Sequence, residues 1–282
     1  MPELPEVETI VRELCASNLV GTQIKEAIVS WKRTLATPSS DDFCDAIRGQ
    51  TILKITRRGK FIVFTLNDYT LLVHLRMTGK FLLSKKKHES APHERLQLRL
   101  TNGWMLHYAD QRKFGKWYLL SDPEELLNKL GLEPLSEEFS FNAFLKVISK
   151  GKTEIKPFLL NQKMIVGLGN IYVDEALWDA KISPTRKVNS LTLTEIKALY
   201  KAIPHALKQG IAYTGTSLGT KNANYFSVSG RRGFHQNQLK VFRRDGLPCP
   251  RCNTTIIKIK LAQRGTHLCP KCQKYKTIFK PI

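Results

Sequence analysis

Two cysteine pairs, Cys249-Pro-Arg-Cys252 and Cys269-Pro-Lys-Cys272, are separated by residues 253–268. No other feature restricts the local folding of the chain so tightly. Each pair puts two thiolates on one tight turn, and two such turns at the ends of a hairpin close a tetrahedral Zn²⁺ site. Four sulfurs leave no coordination position for water, so the expected metal is one structural Zn²⁺ on Cys249, Cys252, Cys269 and Cys272. Residues 254–267 then form the hairpin, with Arg264 on its second half. Four incidental cysteines, or a redox CxxC, do not account for two copies at this spacing. The remaining Cys15 and Cys44 read as small buried hydrophobes.

At 282 residues the chain exceeds one average domain. Its net charge of +21 is unevenly placed. Residues 231–282 carry thirteen Lys and Arg against the single acid Asp245, a local balance of +12. Residues 1–20 run the other way, with Glu3, Glu6, Glu8 and Glu13 against Arg12. A basic surface of this density suits a polyanion, and nucleic acid fits better than membrane because no basic amphipathic helix accompanies it. No apolar run approaches the ~20 residues of a membrane span. The acidic N-terminus also lacks the layout of a signal peptide, so a soluble, cytoplasmic protein is expected.

Val7, Ile10, Val11, Leu14 and Cys15 fall at helical spacing, with Gly21 as a stop, which predicts a helix over residues 5–19. Short apolar or β-branched runs follow at 24–31, 52–56, 61–66, 70–75, 96–100, 105–108 and 117–120. This pattern predicts a β-sandwich or barrel. Asp122-Pro123-Glu124-Glu125 reads as a helix start. Helices are predicted at 141–150, 153–161, 171–181 and 194–213, then a Gly/Ser/Asn-rich loop at 215–233.

Met1-Pro2-Glu3-Leu4-Pro5-Glu6 admits two readings. Removal of Met1 would leave Pro2 with a free secondary amine, able to attack an electrophilic carbon and form an iminium. An α-amine titrates near pH ~8 against ~10.4 for lysine, so more of it is nucleophilic at neutral pH. Glu3 and Glu6 are placed to manage protons around it. Alternatively, Pro2 and Pro5 simply begin a helix whose dipole the glutamates suit. Six residues do not separate the two.

Motifs elsewhere do. Residues 1–9, Arg57-Arg58-Gly59-Lys60, His74-Leu75-Arg76-Met77-Thr78-Gly79, Asp110 to Gly115, Val166-Gly167-Leu168-Gly169-Asn170-Ile171-Tyr172 and Gln263-Arg264-Gly265-Thr266 occur in one order. Over essentially its whole length the chain resembles the formamidopyrimidine-DNA glycosylase family. The resemblance implies an α+β protein in three parts: a β-sandwich catalytic domain with an N-terminal helix (1–121), a helix–two-turn–helix DNA-binding domain with a lesion-recognition loop (122–233), and a zinc-finger β-hairpin (234–282). It implies a monomer acting on double-stranded DNA that contains an oxidised or abasic nucleotide.

The resemblance also assigns roles. Pro2 is the nucleophile and Glu3 the proton donor to the opening sugar, while Glu6 orients the amine or the sugar. Lys60 and Arg264 assist the eliminations through phosphates. Met77, Arg112 and Phe114 match a triad that fills the gap left by an extruded nucleotide. A glycosylase must extrude its target, because the sugar carbon is unreachable in the stack. Lys60, His74, Asn170 and Arg264 match phosphate contacts, and Gly167 to Asn170 precede a predicted helix whose N-terminus suits a phosphate. His93 and Arg112 match further DNA contacts. The family's lysine patch corresponds to Lys150-Gly151-Lys152, where Gly151 leaves the contacting residue open between Lys150 and Lys152, with Lys152 preferred. Lys156 is expected to face the same DNA cleft. The loop at 215–233 resembles the one that closes over an oxidised purine. The nearest alternative is the endonuclease-VIII-like branch, which favours oxidised pyrimidines, but Leu4 and the long loop favour the purine branch. A non-catalytic zinc-ribbon nucleic-acid-binding protein explains the charge and the cysteines but not the other motifs.

Overall fold

The computed structural model describes residues 1–85, 92–219 and 225–274. Helix α1 (Leu4–Ala16) has Pro5 in its first turn and buries Leu4, Val7, Ile10, Val11 and Leu14. Its buried stripe packs on strands β3 (Lys54–Arg58) and β4 (Phe61–Thr65) of the sheet beneath. On its half-buried side Glu8 accepts from Arg57 Nε at 3.0 Å.

The other N-terminal elements are β1 (Ile24–Val29), β2 (Leu35–Thr37), α2 (Ser40–Ile47), β5 (Thr70–His74), β6 (Gly79–Ser84), β7 (Glu94–Leu100), β8 (Met105–Asp110) and β9 (Lys116–Leu120). They form two sheets, ordered β1-β7-β8-β6 and β2-β9-β5-β4-β3. All neighbours are antiparallel except β2 with β9. Rings from the two sheets meet in the core: Phe81 lies 6.2 Å from Phe64 and 5.7 Å from Trp117, and Tyr108 lies 5.3 Å from Trp117. Aromatic pairs at these spacings bury large area with favourable edge geometry. The sheets therefore stack face to face, a sandwich as expected.

Three elements were not foreseen. α2 buries only Phe43 and Ile47, and three aspartates in eight residues give it little helical propensity. Strand β2 is only three residues long, and β6 has no clean alternation of buried and exposed positions. Cys15 is exposed, against expectation, because it lies off the buried stripe of α1; its thiol donates to the Ile55 carbonyl at 3.3 Å. Cys44 is half-buried.

The chain divides into two units, residues 1–128 with 211–236, and residues 129–210 with 237–282. In the first, Tyr225 and Val228 join the sandwich core, so the segment after residue 211 packs with the N-terminal elements. A short helix, α3 (Glu124–Leu127), starts where Asp122 accepts the Glu124 N–H at 2.9 Å.

The second unit contains α4 (Phe141–Ile148), α5 (Ile155–Leu160), α6 (Asn170–Asp179), most of α7 (Leu193–Ala212), and the hairpin β10 (Ile257–Leu261) with β11 (Arg264–Leu268). Leu261 pairs with Arg264, so Ala262 and Gln263 form the two-residue turn, both at positive φ. No helix among the described residues is long and apolar enough to cross a membrane.

Candidate active site

In the first unit, acids and bases gather around the chain's N-terminal amine. Pro2, Glu3 and Glu6 are all buried, the two acids at 3% and 1% exposure. One Glu6 oxygen accepts the Glu3 N–H at 2.7 Å and the other accepts the Thr216 N–H at 2.7 Å. Glu6 thereby fixes the first turn of α1, and its oxygens are engaged as acceptors.

Lys60 arrives by a turn. Arg58 pairs with Phe61, leaving Gly59-Lys60 as a two-residue hairpin loop with Gly59 at φ +57°. Such loops require positive φ, which glycine adopts at no steric cost. A lysine in a hairpin turn is ordinarily exposed, yet Lys60 is only 5% exposed. The amine of Met1, one residue before Pro2, is held below an ordinary α-amine: burial is the main cause, opposed by Glu3 and Glu6 and reinforced by Lys60 and Arg112. An amine released at Pro2 by loss of Met1 would lie in the same surroundings, with carboxylates and a lysine at hand as proton carriers.

His74 ends β5 opposite Phe61, with the two rings edge to face at 4.9 Å. Burial, then the Arg76 and Lys60 cations, push its pKa down to about 3. Its Nδ1 accepts the Arg76 N–H at 3.1 Å, so the neutral ring carries its proton on Nε2. Arg76 is exposed at φ +53°, and Met77 beside it is half-buried. Arg112 and Phe114 lie on the loop after β8, with the guanidinium 4.8 Å from the ring centroid and Phe114 half exposed. His93 is exposed at φ +67°, just before β7.

The second unit organises another set of predicted residues. One stripe of α6, at i, i+4 and i+8, holds the C-terminal hairpin. Asn170 Nδ2 donates to the Gly265 carbonyl at 3.0 Å. Asp174 accepts the His267 N–H at 3.0 Å, and Trp178 Nε1 donates to Cys249 Sγ at 3.4 Å. Adjacent Glu175 accepts the backbone N–H groups of Lys240, Val241 and Phe242 at 2.8–3.0 Å. These contacts present Arg264, which is exposed at the start of β11.

Lys156 has partners within its own unit. It is fully buried, with its ammonium 2.7 Å from Asp174 Oδ1 and 3.2 Å from the Gly265 carbonyl. A side chain so enclosed braces the hairpin. Lys150 and Lys152 are both exposed. Gly151 between them is there for space, since an added Cβ would lie 2.7 Å from Val188 Cβ.

The four cysteine sulfurs lie within 4.8 Å of one another, with Cys252–Cys269 at 3.4 Å and Cys249–Cys272 at 4.0 Å. Zn–S bonds of about 2.3 Å imply tetrahedral sulfur–sulfur edges of about 3.8 Å, so the four residues fit zinc. Zinc held there supplies structure alone, by pinning both ends of the hairpin.

Sequence reasoning missed Asp174, Glu175 and His267, although Asp174 stands on the α6 stripe with Asn170 and Glu175 is next to it. Glu6 with Thr216 had no local signal, since 210 residues separate them.

Comparison with known proteins gives a consistent picture. Residues 1–117 match the formamidopyrimidine-DNA glycosylase N-terminal domain, residues 130–222 the H2TH domain of the same proteins, and residues 246–274 a zinc finger found in FPG and IleRS. The chain is 48% identical to a formamidopyrimidine-DNA glycosylase of Protochlamydia amoebophila over 97% of its own length and 100% of that protein's. It is 44% identical to one of Enterococcus faecalis, over 98% of both. Among solved structures, Lactococcus lactis Fpg bound to DNA containing an abasic site superposes with a TM-score of 0.87 at 39% identity, covering 97% of this chain and 100% of that one. A variant of that protein with Fapy-dG-containing DNA gives a TM-score of 0.89 at the same identity and coverage.

Proposed function

The chain belongs to the formamidopyrimidine-DNA glycosylase family, and from that premise we propose that this base-excision-repair DNA glycosylase removes oxidised purines, with Pro2 as its nucleophile. The observation that supports the assignment of Pro2 is its burial beside Glu3 and Glu6, next to a Met1 amine on which the charges of Glu3, Glu6, Lys60 and Arg112 act.

After Met1 is removed, the Pro2 amine attacks C1′ of the extruded nucleotide. The base leaves with the bonding electrons of the glycosidic bond. Glu3 protonates the ring oxygen as the sugar opens, leaving an iminium between Pro2 and C1′. The cation acidifies C2′–H; loss of that proton expels the 3′ phosphate, and a second elimination expels the 5′ phosphate. Lys60 stands beside the amine, where its charge favours the unprotonated nucleophile and steadies a departing phosphate. Neutral His74 donates Nε2–H to a phosphate without adding charge. Met77 and Phe114 fill the vacated stack, and Arg112 hydrogen-bonds the orphaned base. Arg264, Asn170, His93 and Lys152 serve phosphates of the same DNA.

Zinc keeps Arg264 on a rigid hairpin. The enzyme works as a monomer in the cytoplasm, at the chromosome. The lesion-recognition loop falls partly on residues 220–224, outside the described residues. Its described flanks are tied down, with Ser217 Oγ donating to the Tyr225 carbonyl at 2.7 Å and accepting the Gly233 N–H at 2.9 Å.

The test is substrate preference under single-turnover conditions. Faster excision from 8-oxoguanine:cytosine than from thymine-glycol duplexes, with phosphates at both ends of a one-nucleotide gap, supports the reading. The reverse preference assigns the chain the oxidised-pyrimidine specificity of the endonuclease-VIII-like branch.

A further inference from the structure

Asp110, the last residue of β8, is 1% exposed and has been given no chemical role above. Its carboxylate nonetheless gathers two separate segments. Oδ1 accepts the Thr78 hydroxyl and, at 3.2 Å, the Arg112 N–H. Oδ2 accepts the Gly115 N–H at 2.8 Å. The Arg112 N–H is shared with Thr78 Oγ1 at 3.0 Å, so the two segments also meet directly. The backbone of Asp110 is fixed as well: its N–H donates to the His93 carbonyl and its carbonyl accepts from Arg95 Nε, both at 2.9 Å.

The loop from Arg112 to Gly115 thus begins and ends on one carboxylate. Lys113 within it adopts φ +60°, a conformation that a non-glycine residue holds only when its surroundings impose it. Gly115 admits no side chain, since an added Cβ would overlap the Tyr108 hydroxyl. Thr78 follows Met77 directly, so the same carboxylate fastens Met77's segment to the loop of Arg112 and Phe114.

We propose that Asp110 is a positioning residue that locks Met77, Arg112 and Phe114 into one rigid wedge, so that extruding the lesion and reading the opposite base become a single event. The inference rests on the DNA-repair function and the wedge roles proposed above. A carboxylate suits the task because it is an acceptor only and meets three donors at once. Asparagine keeps the shape but aims an amide N–H₂ at one of those donors, leaving buried groups unpaired.

The experiment compares Asp110→Asn and Thr78→Val with the unaltered enzyme in three single-turnover assays: 8-oxoguanine opposite cytosine, 8-oxoguanine opposite adenine, and a preformed abasic site in single-stranded DNA, which needs no extrusion. The expected result is at least a tenfold loss on the cytosine duplex and a cytosine-to-adenine rate ratio reduced several-fold, with the single-stranded abasic rate within about twofold. Thr78→Val, which removes one hydroxyl, shows the same pattern more weakly and decides the matter if Asp110→Asn does not fold. Equal losses on all three substrates, or an unchanged ratio, overturn the proposal. Failure of the unaltered enzyme on every substrate would instead overturn the repair function itself.

Discussion

Glu6 accepts the Thr216 N–H at 2.7 Å with one carboxylate oxygen while the other accepts the Glu3 N–H at the same distance. One buried side chain thus joins the turn that carries Pro2 to the segment after residue 211. Gly215 beside it has no room for a side chain, since an added Cβ would lie 2.9 Å from Glu6 Cγ.

Glu6→Gln keeps the size but can accept only one of these N–H groups. An unpaired buried donor costs about 1–3 kcal/mol, which predicts a roughly 10- to 100-fold slower single-turnover excision. Unchanged excision would show that the two contacts are dispensable.

The pH dependence follows from the buried amine. Burial lowers the pKa of the Met1 amine, and a Pro2 amine released in the same surroundings is expected to stay unprotonated to lower pH than an exposed α-amine near ~8. Borohydride trapping should therefore rise with pH and level off below ~8. The Lys60 charge lowers the pKa of the Met1 amine, and acting alike on Pro2 it predicts that Lys60→Met moves the rising limb to higher pH. A limb that stays in place would mean that the Lys60 charge does not reach the amine.

The zinc site should be separable from the chemistry in the other unit. Cys252→Ser should lose the one bound zinc, measured by elemental analysis, and bind lesion duplex at least tenfold more weakly. Full DNA affinity without zinc would show that the hairpin holds Arg264 unaided.

Lys156 and Asp174 form a fully buried pair. Removing one partner of such a pair typically costs about 3–5 kcal/mol. Lys156→Met should lower unfolding stability by that order in a denaturant titration. A loss of DNA affinity with stability intact would restore Lys156 as a phosphate contact.

Much of this was legible in the residues. The cysteine spacing located the hairpin and Arg264 within it, and Pro5 with the glutamates marked the start of α1. Such signals are local, set by turn chemistry and helix caps. Long-range electrostatics were not legible. The burial of Lys60 and the neutrality of His74 arise only when β3, β4 and β5 pair. The inward turn of Lys156 depends on Asp174, eighteen residues away. Asp110 stood within a recognised motif, but its tie to Thr78 crosses 32 residues.

The most direct test of the account is borohydride reduction during reaction with an 8-oxoguanine duplex, followed by peptide mapping of the adduct by mass spectrometry. The account predicts a single sugar-derived adduct on the nitrogen of Pro2, in protein lacking Met1. An adduct on Lys60 or another lysine, or full activity in protein that retains Met1, would contradict it.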